Sequence, residues 1–194
     1  MSYCNWGDAS EVTLRYHDEE WGMPVHDDVK QFEYLMMLKR EIFRSCFDGF
    51  DFDKIAAYGE SDIKRILETP GMIRSRRKVE AIIHNARRFI ELRTEYGTFS
   101  DWLWAFSGGK TILYDKHGDG YIPASNGLSE RISTELRRRG FKYLGPVTVY
   151  SHLQACGIIN DHGCDCPRYA VVNAATETIR KRRNREQGVV NFGQ

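Results

Sequence analysis

Asn160-Asp161-His162-Gly163-Cys164-Asp165-Cys166-Pro167 is the stretch around which the rest of the chain can be organised. His162 and Cys166 stand four residues apart, a spacing at which one helical turn or a tight loop aims an imidazole and a thiolate at one centre. Near the other end, Cys4 and His17 offer a second such pair. Two thiolates and two imidazoles complete a tetrahedral zinc shell with no position open for a substrate water, so the metal would be structural and would tie the two ends together. Spacing alone does not select the ligands. The 194 residues hold five Cys and six His, Cys164 rivals Cys166, and Cys4 and His17 read equally as ordinary half-buried side chains.

Outward from that stretch the text is helical. Pro146 suits the first residue of a helix that Gly157 stops, and Ser129–Arg139 is amphipathic and closed by Gly140. The glycines and proline of residues 107–127 predict a long irregular loop. The strongest helix opens at Ser75, with Val79, Ile82, Ile83, Ala86, Phe89 and Ile90 on one stripe before Gly97. Trp102, Leu103 and Phe106 suggest a short helix after it. Asp51 and Ser61 look like caps for the two helices before Pro70-Gly71. Residues 10–21 read as a helix capped by Ser10, and Asp27 or Asp28 starts another carrying Phe32, Leu35 and Met36. There Met36-Met37 runs straight into Leu38-Lys39-Arg40-Glu41-Ile42-Phe43 with no turn residue. That abruptness predicts that Met37 and Leu38 are not bonded neighbours and that a loop belongs between them. The last twenty or so residues read as a basic terminal helix or a frayed tail. With no period-two alternation, the expectation is an all-α fold forming a single globular unit over 1–194.

Composition narrows the class. Hydrophobic content of 41% and charged content of 28% fit a soluble globular chain with a proper core. No apolar run reaches membrane-spanning length and the first residues do not resemble a secretory signal, so five cysteines argue for a reducing cytosol. A net charge of +1 hides basic blocks at Arg74-Ser75-Arg76-Arg77-Lys78, Arg137-Arg138-Arg139-Gly140-Phe141-Lys142 and Arg180-Lys181-Arg182-Arg183. Each block reads either as a solvated helix face or as a nucleic-acid footprint.

Two places can hold chemistry. The turn Thr69-Pro70-Gly71-Met72-Ile73-Arg74 joins two helices, and a helix start exposes N–H groups that hold a phosphate, with Arg74, Arg76, Arg77 and Lys78 at the same end. Such contacts grip DNA without reading sequence. Trp6, Tyr16 and Trp21 offer flat faces suited to stacking on a base, above all a cationic one, although such residues are also common core. No Ser-His-Asp or P-loop pattern and no Cys-x-x-Cys redox motif is present.

Taken together, these blocks resemble a known family. Cys4-Asn5-Trp6, Tyr16-His17-Asp18-Glu19-Glu20-Trp21-Gly22, Gly71-Met72-Ile73-Arg74, Lys78 to Arg87, Arg139-Gly140-Phe141-Lys142, Ser151 to Gly157 and Asn160-Asp161-His162 resemble the 3-methyladenine DNA glycosylase I family, in order, over roughly 4–169. The resemblance implies a helix-hairpin-helix glycosylase fold with a core at about 39–145. A terminal subdomain at about 1–38 and 146–170 would be stapled by one structural zinc on Cys4, His17, His162 and Cys166, with a basic tail at about 171–194. It implies excision of 3-methyladenine from alkylated double-stranded DNA, free 3-methyladenine as product, no membrane partner, and a cytosolic monomer. Trp6, Tyr16 and Trp21 would line the base pocket, and Gly71, Arg74, Arg76, Arg77 and Lys78 would grip the DNA. The turn departs from the usual hairpin in placing Arg74-Ser75 where a second glycine is common.

One departure bears on activity. Between the positions of Met37 and Leu38 the family carries roughly a dozen further residues, including a glutamate that recognises the base, a glycine-containing turn that enters the DNA and a stacking tryptophan. None is in this sequence, and Glu33 matches a different, earlier glutamate, so no catalytic residue can be assigned. The alternative to a glycosylase is a non-catalytic, zinc-stapled DNA-binding protein.

Overall fold

A computed structural model describes residues 4, 10–35, 40–115 and 122–181. Within them the chain runs α1 (Glu11–Glu19), α2 (Asp28–Leu35), α3 (Arg40–Cys46), a 3-10 turn (Asp48–Phe50), α4 (Phe52–Ala56), α5 (Glu60–Glu68), α6 (Arg76–Tyr96), α7 (Phe99–Ala105), β1 (Thr111–Tyr114), α8 (Gly127–Arg138), α9 (Pro146–Ala155), α10 (Pro167–Ala175) and β2 (Thr178–Lys181). No described helix is long and apolar enough to cross a membrane.

The apolar stripe of α6 places it at the centre. Val79, Ile82, Ile83, Ala86 and Phe89 are buried, and the Phe89 ring meets Phe99 at 4.4 Å, Phe52 at 5.0 Å and Phe32 at 5.2 Å between centroids. One phenyl thereby joins α2, α4, α6 and α7, each ring contributing packing area and favourable edge or offset contact. Asp28 does more than begin α2. Its buried carboxylate accepts from Phe99 N at 3.1 Å and Ser100 N at 2.9 Å, satisfying the first N–H groups of α7 some seventy residues away. Gly157 is required where the chain ends meet. At φ +79 a Cβ would stand 2.6 Å from Gly22 O and 2.7 Å from Pro24 N, so only glycine lets the end of α9 lie against the loop after α1.

The described chain is mostly helical, but the all-α expectation needs a correction. β1 and β2 pair in parallel, Thr111 opposite Thr178 through Tyr114 opposite Lys181, and Ile112 also bridges to Ile159. All four β1 residues are buried, which removes the alternation by which a strand is read, and β1 lies inside the stretch read as irregular loop. The region read as terminal helix or tail divides into the end of α10, then β2, with 182–194 outside the described residues. Ser61 is not a cap: Gly59 precedes α5, and its N–H is held by Asp62 at 3.1 Å. Ser10 and Asp51 do cap α1 and α4, accepting from Thr13 N and Lys54 N.

Candidate functional site

Cys4, His17, His162 and Cys166 converge, their ligand atoms all within 4.8 Å of one another. Cys166 Sγ lies 3.6 Å from His162 Nδ1 and 3.8 Å from His17 Nε2, and Cys4 Sγ lies 3.7 Å from His162 Nδ1. Tetrahedral bonds of about 2.3 Å to sulfur and about 2.1 Å to nitrogen imply S···N edges of about 3.6 Å, so the donor set has the size of a metal shell. The outer partners fix which nitrogens are bare. His17 Nδ1 faces Asp18 Oδ1 at 2.8 Å and His162 Nε2 faces the Trp21 carbonyl at 2.9 Å, so each ring donates outward and turns its lone pair into the cluster. Burial pushes the Cys4 thiol up to about 12 and pulls His162 down to about 4. The group can hold a metal ion, whose binding would displace the thiol protons. Cys164 is exposed and outside the group.

Trp21 connects this cluster to a second feature. Its ring lies 4.5 Å from that of His162, and it lines a cavity of about 750 Å³. Tyr16, Tyr34 and Phe43 line the same cavity, with the two tyrosine rings edge-to-face at 6.5 Å and Tyr34 OH donating to Glu20 Oε2 at 3.1 Å. Among the described residues no carboxylate lines it. His152 does, and burial pulls its pKa down to about 3, so its imidazole is neutral. The lining charges are Lys78 from the first turn of α6 and Lys142 from the loop after α8, both exposed and neither ion-paired among the described residues. Trp6 and the Met37–Leu38 junction lie outside the described residues. Glu33 is buried and committed to Arg44 at 2.7 Å and Lys30 at 3.3 Å, so it is no part of the wall.

The turn between α5 and α6 borders this cavity through Ile73. Gly71 sits at φ +80, where a Cβ would press within 2.9 Å of Ile42 Cδ1. Arg76 is engaged within the chain itself. It pairs through both terminal nitrogens with Glu60 and through Nε with Glu80 at 2.7 Å, and these carboxylates hold its pKa above the ordinary value. Its charge is neutralised locally, leaving Arg74, Arg77 and Lys78 as the exposed cations without an ion-pair partner among the described residues. The Arg137–Lys142 block divides likewise: Arg138 and Arg139 are tied to Glu135, Arg139 also to Glu95, and Arg137 and Lys142 remain.

Sequence reasoning missed Asn85, Tyr34 and Phe43 at the cavity. Asn85 had a signal, being polar on the apolar stripe of α6. Buried at 2% exposure, it donates to Lys142 O at 2.9 Å and accepts from Lys142 N at 2.8 Å, fixing the loop at the cavity's edge. The two aromatics sit on helical core periods and carry no mark that separates wall from core.

Residues 6–169 match a family model described as methyladenine glycosylase. DNA-3-methyladenine glycosylase 1 of Escherichia coli K12 is 36% identical over 181 residues, covering 86% of this chain and 97% of that protein. A crystal structure of a 3-methyladenine DNA glycosylase I superposes with a TM-score of 0.79 at 36% identity, covering 86% of this chain and 98% of the other. A Staphylococcus aureus 3-methyladenine DNA glycosylase I, solved for the basis of its 3-methyladenine recognition, does so at 0.79 and 33%, over 86% and 96% of the two chains. Since 86% of 194 residues is about 167, about 14 of the 181 positions aligned with the E. coli protein have no counterpart here. That shortfall has the size of the segment expected between Met37 and Leu38.

Proposed function

The chain belongs to the methyladenine glycosylase family, and from that premise and the geometry of the cavity we infer a DNA glycosylase that excises 3-methyladenine from alkylated duplex DNA. The observation that carries the inference is an aromatic cavity with room for a purine base, free of carboxylates among the described lining residues, opening beside two unpaired lysines. Methylation at N3 makes the adenine cationic. Once flipped from the stack, it meets the faces and edges of Tyr16, Trp21 and Tyr34, whose π electrons attract a cation more than a neutral base. The bond to C1′ breaks with its electron pair passing to the purine, which leaves neutral. Water adds to C1′ and gives up a proton. The substrate's own charge activates the leaving group, so the wall needs to capture and orient it rather than protonate it.

Lys78, Arg74, Arg77 and the N–H groups at the start of α6 would hold the DNA backbone, with the α5–turn–α6 unit acting as a helix-hairpin-helix grip. The Cys4, His17, His162 and Cys166 cluster is read as a structural zinc site. Bound there, zinc would supply cross-linking of the two ends and no chemistry at the base, because four protein ligands fill its shell.

Methylated duplex DNA incubated with the pure protein tests the reading. Free 3-methyladenine should accumulate above the spontaneous background, resolved by chromatography. The absent internal positions and the acid-free described wall favour one other reading, a binder without turnover. Tight binding of DNA with only background release would establish it.

A further inference from the structure

The wall of the cavity and the four-residue cluster are built from the same two segments. On α1, Tyr16 lines the cavity and its chain neighbour His17 belongs to the cluster. Trp21 lines the cavity too, and its indole packs on both cluster imidazoles, stacked on His17 at 5.7 Å and edge-on to His162 at 4.5 Å. Its carbonyl accepts from His162 Nε2 at 2.9 Å, so ring and backbone are both held from the cluster side. Gly22 leaves no slack there, since a Cβ on it would stand 3.1 Å from His162 Nε2. Another part of the wall comes from α9, where Gln154 lines the cavity and donates to Asp161 Oδ2 at 2.8 Å. Asp161 is buried, also accepts from Tyr150 OH at 2.6 Å, and immediately precedes His162. Tyr16, Trp21 and Gln154 are thus tied to the cluster by chain adjacency, by packing and by a hydrogen bond to the residue before His162. A separate tether joins the two segments: Val25 N donates to Cys156 O at 3.1 Å, beside the close approach of Gly157 to Gly22. What the cluster adds to that tether is orientation.

We propose that the cluster is a positioning site for the cavity. An ion held by Cys4, His17, His162 and Cys166 sets Tyr16 and Trp21 against α9, so that filling the cluster and filling the cavity strengthen each other. The inference rests on the glycosylase reading for the base that fills the cavity, and on the zinc reading for the ion. A flat ligand is sensitive to such positioning because a gap of about 0.5–1 Å forfeits roughly a quarter to a half of a contact's dispersion energy. A small rotation of α1 about the Val25 tether therefore reaches the base directly. Two sites that share a positioned element are coupled by a free energy that is the same read from either side. The cluster itself contributes no atom to the reaction.

The test is a linkage cycle on the full chain. Affinity for free 3-methyladenine is measured by calorimetry with zinc bound and after chelation, at a temperature where circular dichroism shows both forms folded. Zinc should tighten binding of the base by about tenfold, and saturating 3-methyladenine should raise the affinity for zinc, measured against a calibrated chelator, by the same factor. Equal base affinity in the two forms, or a zinc-loaded chain that binds no 3-methyladenine, would overturn the proposal. If the stripped chain does not stay folded, cobalt(II) in place of zinc decides on the loaded chain alone. Adding 3-methyladenine should then shift the visible bands of the two-sulfur, two-nitrogen centre, and an unchanged spectrum would overturn the proposal. Base release from methylated DNA is followed in parallel. Zinc-dependent binding without release leaves the inference standing and removes the excision reading, whereas release with a base affinity indifferent to zinc does the reverse.

Discussion

The cluster joining the chain ends and the rim of the cavity lie on either side of Trp21 and are built on opposite terms. In the cluster His17, His162 and Cys166 are buried, and both outer imidazole nitrogens have partners. At the rim Lys78, Lys142 and Tyr143 are exposed, and Tyr143 occupies a strained conformation. The first arrangement lowers the free energy of the folded chain. The second raises it at Tyr143, through the left-handed backbone. The contrast separates side chains that hold the fold from those held by it.

Breaking the cluster should have the largest effect. Cys166→Ala, or chelation of a bound metal, should lower the melting temperature by about 10 °C or more, whereas Cys164→Ala, exposed and outside the group, should leave it unchanged. A differential melt of the three proteins with and without chelator checks both. Asn85→Ala comes next. Removing two hydrogen bonds to Lys142 from a buried position should cost about 2 kcal/mol in urea unfolding.

The cations sharpen the comparison further. Lys78→Ala should reduce the slope of log affinity against log salt by about one unit, while Arg76→Ala should leave the slope unchanged because Glu60 and Glu80 already neutralise that guanidinium. Equal slopes for the two variants would mean that the pairing with Glu60 opens in the complex. The smallest effect is expected at Tyr143→Gly. Relieving the left-handed strain should stabilise the fold by up to about 1 kcal/mol, read as a gain in melting temperature.

What could be read beforehand follows the same division. The stripe of α6 and the caps at Ser10 and Asp51 were legible because each is a local rule acting on neighbours in sequence. The cluster was half legible. Spacing suggested His162 and Cys166, family resemblance chose Cys166 over Cys164, and the fold brings Cys4 and His17 to them. β1 escaped because a buried four-residue strand shows no alternation, and its partner lies beyond α8, α9 and α10. The pairing of Arg76 was not legible, because a sequence shows a basic run but not the Glu60 carboxylate facing it across the turn. Tyr143 carried no sequence signal at all: its significance is a backbone angle combined with exposure.

The central claim is that the substrate's charge, with no acid in the described wall, drives base release. Its most direct test is the single-turnover rate of 3-methyladenine release from methylated duplex DNA, corrected for the spontaneous rate and followed between about pH 5 and 8. His152 is held neutral, down at about 3, and no carboxylate lines the described cavity. The account therefore predicts release above background at a rate that stays level across that range. A rate that rises or falls with a midpoint inside it, or no release above background, would contradict it.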